Sequence, residues 1–115
     1  MTRAVFLCDS LGRFTGFHVK GHAGYAEEGS DIVCSAISVL TTTCVNALES
    51  VAGVQAEVRG GEDGFLEATL PGECPAESAH DAQVLMRSLR QGLSDLAQTY
   101  PKYIRLSIQE RRETP

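Results

Sequence analysis

The sequence lacks several features that would assign it to a common class of small protein. None of its four cysteines forms a CxxC pair, which argues against a zinc ribbon and a thioredoxin-type redox motif. The first apolar run, residues 4–8, is too short for a signal-peptide core or a membrane span. We therefore expect a cytoplasmic protein with reduced thiols and no membrane partner.

Positive charge is scarce relative to negative charge. Ten lysines and arginines stand against fifteen aspartates and glutamates, a formal net charge of -5. This excess disfavours binding to a phosphate backbone, so no direct nucleic-acid partner is expected. It favours a basic partner instead, because Glu27, Glu28 and Asp31 lie close together in one loop and could steer a cationic peptide. A solvated acidic loop is the alternative interpretation.

The chain does have the length of one globular domain, and its hydrophobic pattern predicts seven elements. A chain of 115 residues can bury a core without cross-links, so residues 1–115 are predicted to form a single domain. Alternating apolar residues predict strands at residues 3–8, 13–20, 54–59, 65–70 and 103–108. Apolar steps of three and four predict helices at residues 32–51 and 76–100.

The order and boundaries of these elements predict the fold. Ser30 is the predicted N-cap of the first helix, and Gly53 is its predicted stop. The order ββαββαβ predicts an α+β fold, in which a mixed, mostly antiparallel sheet packs against two helices.

Cys34 lies near the start of the first predicted helix. The partial positive charge of a helix N-terminus favours the thiolate, the nucleophilic form of cysteine. His22 precedes Cys34 in a glycine-rich loop, and an imidazole within reach of a thiol can act as its general base. Free N–H groups of the first helical turn are expected to stabilise an oxyanion beside Cys34. From spacing alone, a catalytic pair is one interpretation and two unrelated side chains is the commoner one.

Two neighbours of Cys34 have alternative roles. Asp31 could stabilise the start of the helix, or it could orient His22 as the third member of a triad. Ser38 lies one turn beyond Cys34 on the same helical face. Its hydroxyl could donate to the thiolate or bind substrate, or the residue could simply be small enough for close helix packing.

The loop before the first helix is expected to bind substrate. Gly21, Gly24 and Gly29 leave room for a peptide to approach the backbone, and Tyr25 lies among them. Loops of this composition often carry function, and this one is expected to be mobile.

The remaining cysteines are expected to have no catalytic role. Cys44 lies on the apolar stripe of the first helix, Cys8 ends a strand and Cys74 is expected to be exposed. His18 and His80 are expected on the surface of a strand and a helix. Because two nearby ligands do not hold a metal ion, neither a metal nor a cofactor is expected.

Residues 21–38 resemble the signature of the ribosomal-processing cysteine protease family, Prp. The shared pattern is GHA-x-Y, a short spacer, G-x-DIVC and then small and apolar residues ending in serine. The chain length, the element order and the acidic character are also similar to that family over essentially the whole chain.

The resemblance implies a cytoplasmic cysteine endopeptidase that removes an N-terminal extension from bacterial large-subunit ribosomal protein number twenty-seven. It implies that His22 and Cys34 form the catalytic dyad, that Asp31 and Ser38 match further family positions, and that the protein is a homodimer. It implies no cofactor. Two other functions stay open: a ribosome-associated factor that binds the ribosomal protein without cutting it, and a redox-sensing thiol protein.

Overall fold

Strands and helices occur in the predicted ββαββαβ order in the computed structural model, which describes residues 1–27, 29–62 and 64–110. The strands are Thr2–Cys8 (β1), Phe14–Lys20 (β2), Glu57–Glu62 (β3), Phe65–Thr69 (β4) and Ile104–Glu110 (β5). The helices are Ile32–Ser50 (α1) and Ala76–Thr99 (α2). Asp63 of the predicted β3–β4 connection, Glu28 and the tail at 111–115 lie outside the described residues.

The strands form one five-stranded sheet in the order β3-β4-β2-β1-β5. Neighbouring strands are antiparallel except for β1 and β5, which run parallel because the chain crosses over through α2 between β4 and β5. The predicted α+β fold with a mixed, mostly antiparallel sheet is therefore confirmed.

Both helices contribute to a core on one face of the sheet. Phe6 and Phe17, paired on β1 and β2, are fully buried and contact apolar side chains of α1 and α2. The second helix covers this core with Ala82, Met86, Leu89 and Leu93. Alternate strand residues point to the other face, which no helix covers among the described residues.

The first helix begins one residue later than a Ser30 cap would require. Asp31 is the N-cap, because its carboxylate accepts hydrogen bonds from the N–H groups of Val33 and Cys34. Asp31 therefore precedes the first turn, and Ser30 is exposed.

The end of α1 and the start of β3 also differ from a simple periodic pattern. Gly53 has a φ of +68° and reverses the chain, which confirms it as the stop. The next residue, Val54, donates its N–H to Leu48 O at 2.8 Å and is buried beneath the helix. Because Val54 is bonded to the helix, β3 begins at Glu57, and it extends through a bulge near Gly60.

By length and composition alone, α1 is apolar enough to cross a membrane. In the folded chain, its residues Val33, Ile37, Cys44 and Leu48 are buried in the core. Core helices of soluble proteins commonly meet the same criterion, so this feature is weak evidence for a membrane span.

Candidate active site

Cys34 and His22 line one cavity of about 270 Å³. Helix α1 contributes Cys34 and Ser38 to its wall, and the loop after β2 contributes Gly21 and His22. Residues around the β3–β4 turn form the opposite wall. Two side chains that the sequence separates by a whole loop thus meet at one concave site, which is the usual form of a binding or catalytic site.

The Asp31 carboxylate holds the loop that carries His22 against the helix start. One oxygen, Oδ1, accepts from Val33 and Cys34, and the other, Oδ2, accepts from the N–H groups of Tyr25 and Ala26 at 2.9 and 3.2 Å. Asp31 is only 4% exposed, and the desolvation of its carboxylate opposes ionisation. The four N–H donors outweigh that effect and lower its pKa below the usual range.

This arrangement decides between the two roles of Asp31. The carboxylate is a helix cap and a loop clamp, and no hydrogen bond joins it to His22 within the described part of the chain. Because it is buried, Asp31 is also not part of an acidic surface that could steer a peptide. Glu27 remains exposed beside the site.

The Cys34 sulfur is half-buried and receives a hydrogen bond from the backbone. The N–H of Ala23 donates to Sγ at 3.2 Å. This hydrogen bond joins the sulfur to the loop that carries His22. The side chain of Ala23 is buried, which anchors this part of the loop.

The expected oxyanion donors are not free. The N–H groups of Val33 and Cys34 are both bonded to Asp31 Oδ1, so they cannot also point at a carbonyl oxygen. In this structure these two donors cap the helix start, and the oxyanion hole at the first turn stays a prediction.

The His22 side chain is exposed at the rim of the cavity. The preceding residue, Gly21, is held through both its N–H and its carbonyl oxygen. Gly21 donates its N–H to Gly64 O at 2.7 Å and accepts from Thr2 Oγ1 at 3.2 Å. Gly21 has a φ of +90°, and a Cβ there would lie 2.6 Å from Met1 O, so only glycine fits. Among the described residues, no hydrogen bond joins the His22 ring to Cys34 Sγ.

Gly64 lies directly against the imidazole. A Cβ on Gly64 would stand 3.1 Å from His22 Nε2 and 3.3 Å from Gly21 O. The missing side chain at Gly64 therefore leaves the space that the His22 ring occupies. Gly64 falls in the connection between two predicted strands, and nothing local in the sequence indicates that this connection meets His22.

The remaining loop residues of the predicted substrate site are not all in the cavity. Gly24, Gly29 and Tyr25 are absent from its wall. The Tyr25 ring instead packs edge-on against Tyr100 and Tyr103, with ring centroids 5.6 and 5.2 Å apart. Tyr25 thus anchors the loop to the end of α2 and the start of β5, a contact that no sequence motif indicates.

Ser38 is exposed on the cavity wall one turn beyond Cys34. Its position does not support the interpretation of a small residue buried at a helix contact. It leaves the hydroxyl accessible to a bound peptide.

The other cysteines and histidines lie away from the cavity. Cys44 is buried in the core as predicted, and burial raises the pKa of its thiol to about 11. Cys8 is half-buried as expected, whereas Cys74 is half-buried rather than exposed, at a second cavity of about 650 Å³ near the start of β2. His18 is also half-buried, and its Nδ1 has no hydrogen-bond partner in the part of the chain that the structure describes. Among the described residues, no cluster of three or more potential ligands could hold a metal ion.

Known proteins resemble this chain in both sequence and fold. Residues 1–105 match the family model described as Cysteine protease Prp. The ribosomal processing cysteine protease Prp of Bacillus subtilis (strain 168) is 29% identical over 92 residues, which cover 79% of this chain and 82% of the relative.

Two solved structures superimpose on nearly the whole chain. The essential ribosomal processing protease Prp from S. aureus, in complex with a covalently linked product peptide, matches with a TM-score of 0.85 and 23% identity over 95% of this chain and 100% of that one. SMU.848 from Streptococcus mutans matches with a TM-score of 0.80 and 29% identity over 96% of each chain.

Proposed function

The chain belongs to the cysteine protease Prp family, and from this premise we propose that it removes the N-terminal extension of bacterial large-subunit ribosomal protein number twenty-seven, with Cys34 as nucleophile and His22 as general base. The observation that carries the proposal is the single cavity that holds both side chains. The B. subtilis relative is a ribosomal processing protease, which supports a ribosomal substrate, and the peptide bound to the S. aureus protein supports a peptide substrate.

The proposed reaction assigns one group to each step. His22 accepts the thiol proton, and the Cys34 thiolate attacks the scissile carbonyl carbon to form a tetrahedral intermediate. The C–N bond breaks as His22 returns the proton to the leaving amine, which leaves an acyl thioester on Cys34. Water then loses a proton to His22 and attacks the thioester, and the C–S bond breaks to release the acid.

The backbone N–H of Ala23 is the proposed oxyanion donor. It donates to Sγ at 3.2 Å in this structure, and an acyl group on the sulfur would bring its carbonyl oxygen close enough to accept this N–H instead. The clamp formed by Asp31 holds this loop in place, so the donor is ordered before substrate arrives.

Substrate binding is proposed to bring His22 to the sulfur by rotation of its side chain. The loop backbone is bonded at Gly21, Ala23 and Tyr25, whereas the imidazole is exposed and not bonded to sulfur. A peptide in the cavity would exclude water and favour the inward rotamer. Under this proposal only the imidazole ring moves, and not the whole loop that the sequence predicts to be mobile.

Gly64→Ala should impair cleavage far more than it impairs folding. The new methyl group would crowd the space in which the His22 ring turns toward Cys34, and misplacement of a general base costs roughly 10-fold or more in rate. Gly12→Ala is the matched control, because Gly12 has a φ of +78° against +71° for Gly64 and a Cβ there would touch nothing within 4 Å. Both variants carry similar backbone strain, so their melting temperatures should fall alike, while only Gly64→Ala loses kcat/KM. Equal activities would contradict the positioning role of Gly64.

The substrate is tested directly by mass spectrometry. The purified protein is incubated with the extended ribosomal protein, and with a version in which the order of residues in the extension is scrambled. We expect the first to lose the mass of its extension and the second to stay intact. An authentic precursor that stays intact under conditions where the protein is folded would refute this substrate.

Residence in the cytoplasm as a homodimer and a single domain is part of the same proposal. Ile32 and Val39 lie on one face of α1 and are 57% and 64% exposed, which leaves an apolar surface available to a second copy. Val39→Glu should shift the protein toward monomer in sedimentation equilibrium. Val84→Glu, the same substitution at a 46% exposed site on α2, should not. A dimer unaffected by Val39→Glu would place the interface elsewhere.

A further inference from the structure

Three cationic residues lie side by side across neighbouring strands on the sheet face opposite the helices. Arg3 on β1 pairs with Lys20 on β2 and with Arg105 on β5. Arg3 stands between the buried residues Thr2 and Ala4, so its side chain points away from the core, and its two partners share that face. We call Lys20, Arg3 and Arg105 the basic row. All three residues are exposed.

The basic row has no internal compensation among the described residues. Like charges directly opposite each other destabilise a sheet, and this row contains two such pairs. None of the ion pairs of the described residues includes a member of the row. The adjacent carboxylate, Glu67, pairs with Arg59 instead. Lys20 instead places its Nζ 5.5 Å from the ring centroid of Phe65, which continues the row on β4.

We propose that the basic row binds the phosphate backbone of RNA. The net charge of -5 argues against a nucleic-acid partner, but net charge does not describe a face on which cations cluster locally. A straight line of three cations about 10 Å long fits a polymer with one negative charge on every unit. Two of the three are arginines, whose planar guanidinium groups bind phosphate oxygens in pairs.

Phe65 places this surface beside the catalytic cavity. Phe65 continues the basic row and also contributes to the cavity wall. Lys20 directly precedes Gly21, which lines the same cavity. An RNA on the row would therefore lie next to the peptide being cut, and the exposed part of the aromatic ring could stack on a base. This role in processing rests on the proposed function, whereas RNA binding by the row does not.

RNA binding is measured by fluorescence anisotropy with a labelled single-stranded oligouridylate over a range of salt concentrations. Three phosphate contacts predict that log K falls with log salt at a slope of about −2. Arg105→Glu should weaken binding roughly 10-fold at low salt and flatten this slope. Arg90→Glu is the matched control, since Arg90 is exposed on α2, on the helix side of the sheet, and carries the same charge change. Arg90→Glu should bind as the wild type does.

The outcomes separate RNA from other anions and from a general charge effect. Equal losses in Arg105→Glu and Arg90→Glu would show that only net charge matters and overturn the proposal. Binding of polyglutamate as tight as that of RNA would assign the row to an acidic protein instead and overturn it as well. Absence of salt-dependent RNA binding by the wild type would do the same.

A second measurement tests whether the basic row acts in processing. The test of RNA binding does not depend on its result. Arg105→Glu should cleave a short free peptide at the wild-type rate, because Arg105 is outside the catalytic cavity. It should cleave the precursor more slowly, by several fold, when that precursor is assembled with ribosomal RNA. If no peptide is cleaved by the wild type, the proposed function fails while the anisotropy result still decides RNA binding. Equal rates on the assembled precursor would remove the row from processing.

Discussion

Replacing Cys34 with alanine should abolish cleavage and leave binding of the extended precursor intact. The sulfur forms the covalent intermediate, so its removal takes away the reacting atom and not merely a contact. Losses of at least ~10⁴-fold in kcat are typical when a nucleophile is removed. Alanine fits the half-buried site and keeps the N–H of residue 34 that Asp31 accepts, so the melting temperature should change little.

Cys74→Ala is the matched control for this experiment. Cys74 is also half-buried but lies at the second cavity, away from His22. Its removal should leave cleavage at the wild-type rate. Precursor cleavage by Cys34→Ala at a normal rate would eliminate the cysteine mechanism. Failure of both variants and of the wild type to cut, with binding retained, would favour a factor that only escorts the ribosomal protein.

His22→Ala separates the protease from a redox-sensing thiol. The N–H of Ala23 and the helix start are retained in this variant, so alkylation of Cys34 should stay close to the wild-type rate. Peptide cleavage should fall, because the general base and the proton for the leaving amine are lost. Unchanged peptide turnover in His22→Ala would exclude the dyad.

Replacing Asp31 with alanine should reduce both stability and activity. Four backbone N–H groups lose their acceptor, two at the helix start and two in the loop that carries Ala23. Loss of an N-cap alone lowers Tm by roughly 5 °C in a domain of this size, and the released loop adds to that. With Ala23 and His22 no longer fixed relative to Cys34, kcat/KM should fall about 100-fold.

The control for Asp31 is Asp9, a carboxylate with similar local bonding at the far end of β1. Asp9 Oδ1 accepts from the N–H groups of Leu11 and Arg13, and its pKa is also lowered, first by the Arg13 backbone hydrogen bond. Asp9→Asn should therefore alter acid stability but leave cleavage unchanged. Asp31→Asn should alter both. Equal activities of the two asparagine variants would show that the Asp31 clamp has no part in catalysis.

The lowered pKa of Asp31 also predicts a pH dependence of stability. Because its pKa in the folded protein is below the value near 3.9 of an unfolded chain, ionised Asp31 stabilises the fold at and above about pH 4. This contribution is lost as the pH falls through the folded pKa. The difference in Tm between wild type and Asp31→Asn should consequently shrink below about pH 4 and be constant between pH 5 and 7. A Tm difference that stays constant down to the lowest pH would contradict this role of the ionised Asp31 carboxylate.

The sequence alone determined the helices and strands of this protein and pointed to the two side chains that are proposed to react. Apolar steps of two, three and four residues specify strands and helices locally, so the ββαββαβ order was predictable, and the GHA-x-Y and DIVC segments marked His22 and Cys34. Boundaries near residues 31 and 54 were predicted less well, because one carboxylate and one backbone bond to α1 decided them.

Only the tertiary structure decided which distant residues meet around the cavity and in the basic row. Gly64 faces the His22 ring, Tyr25 packs on Tyr100, and Arg3 lies between Lys20 and Arg105. These contacts join segments far apart in the chain, and they follow from sheet register and loop closure, which local periodicity does not encode. The bonds from Asp31 to Val33 and Cys34 are local, whereas its bonds to Tyr25 and Ala26 formed only because the loop folds back against the helix start.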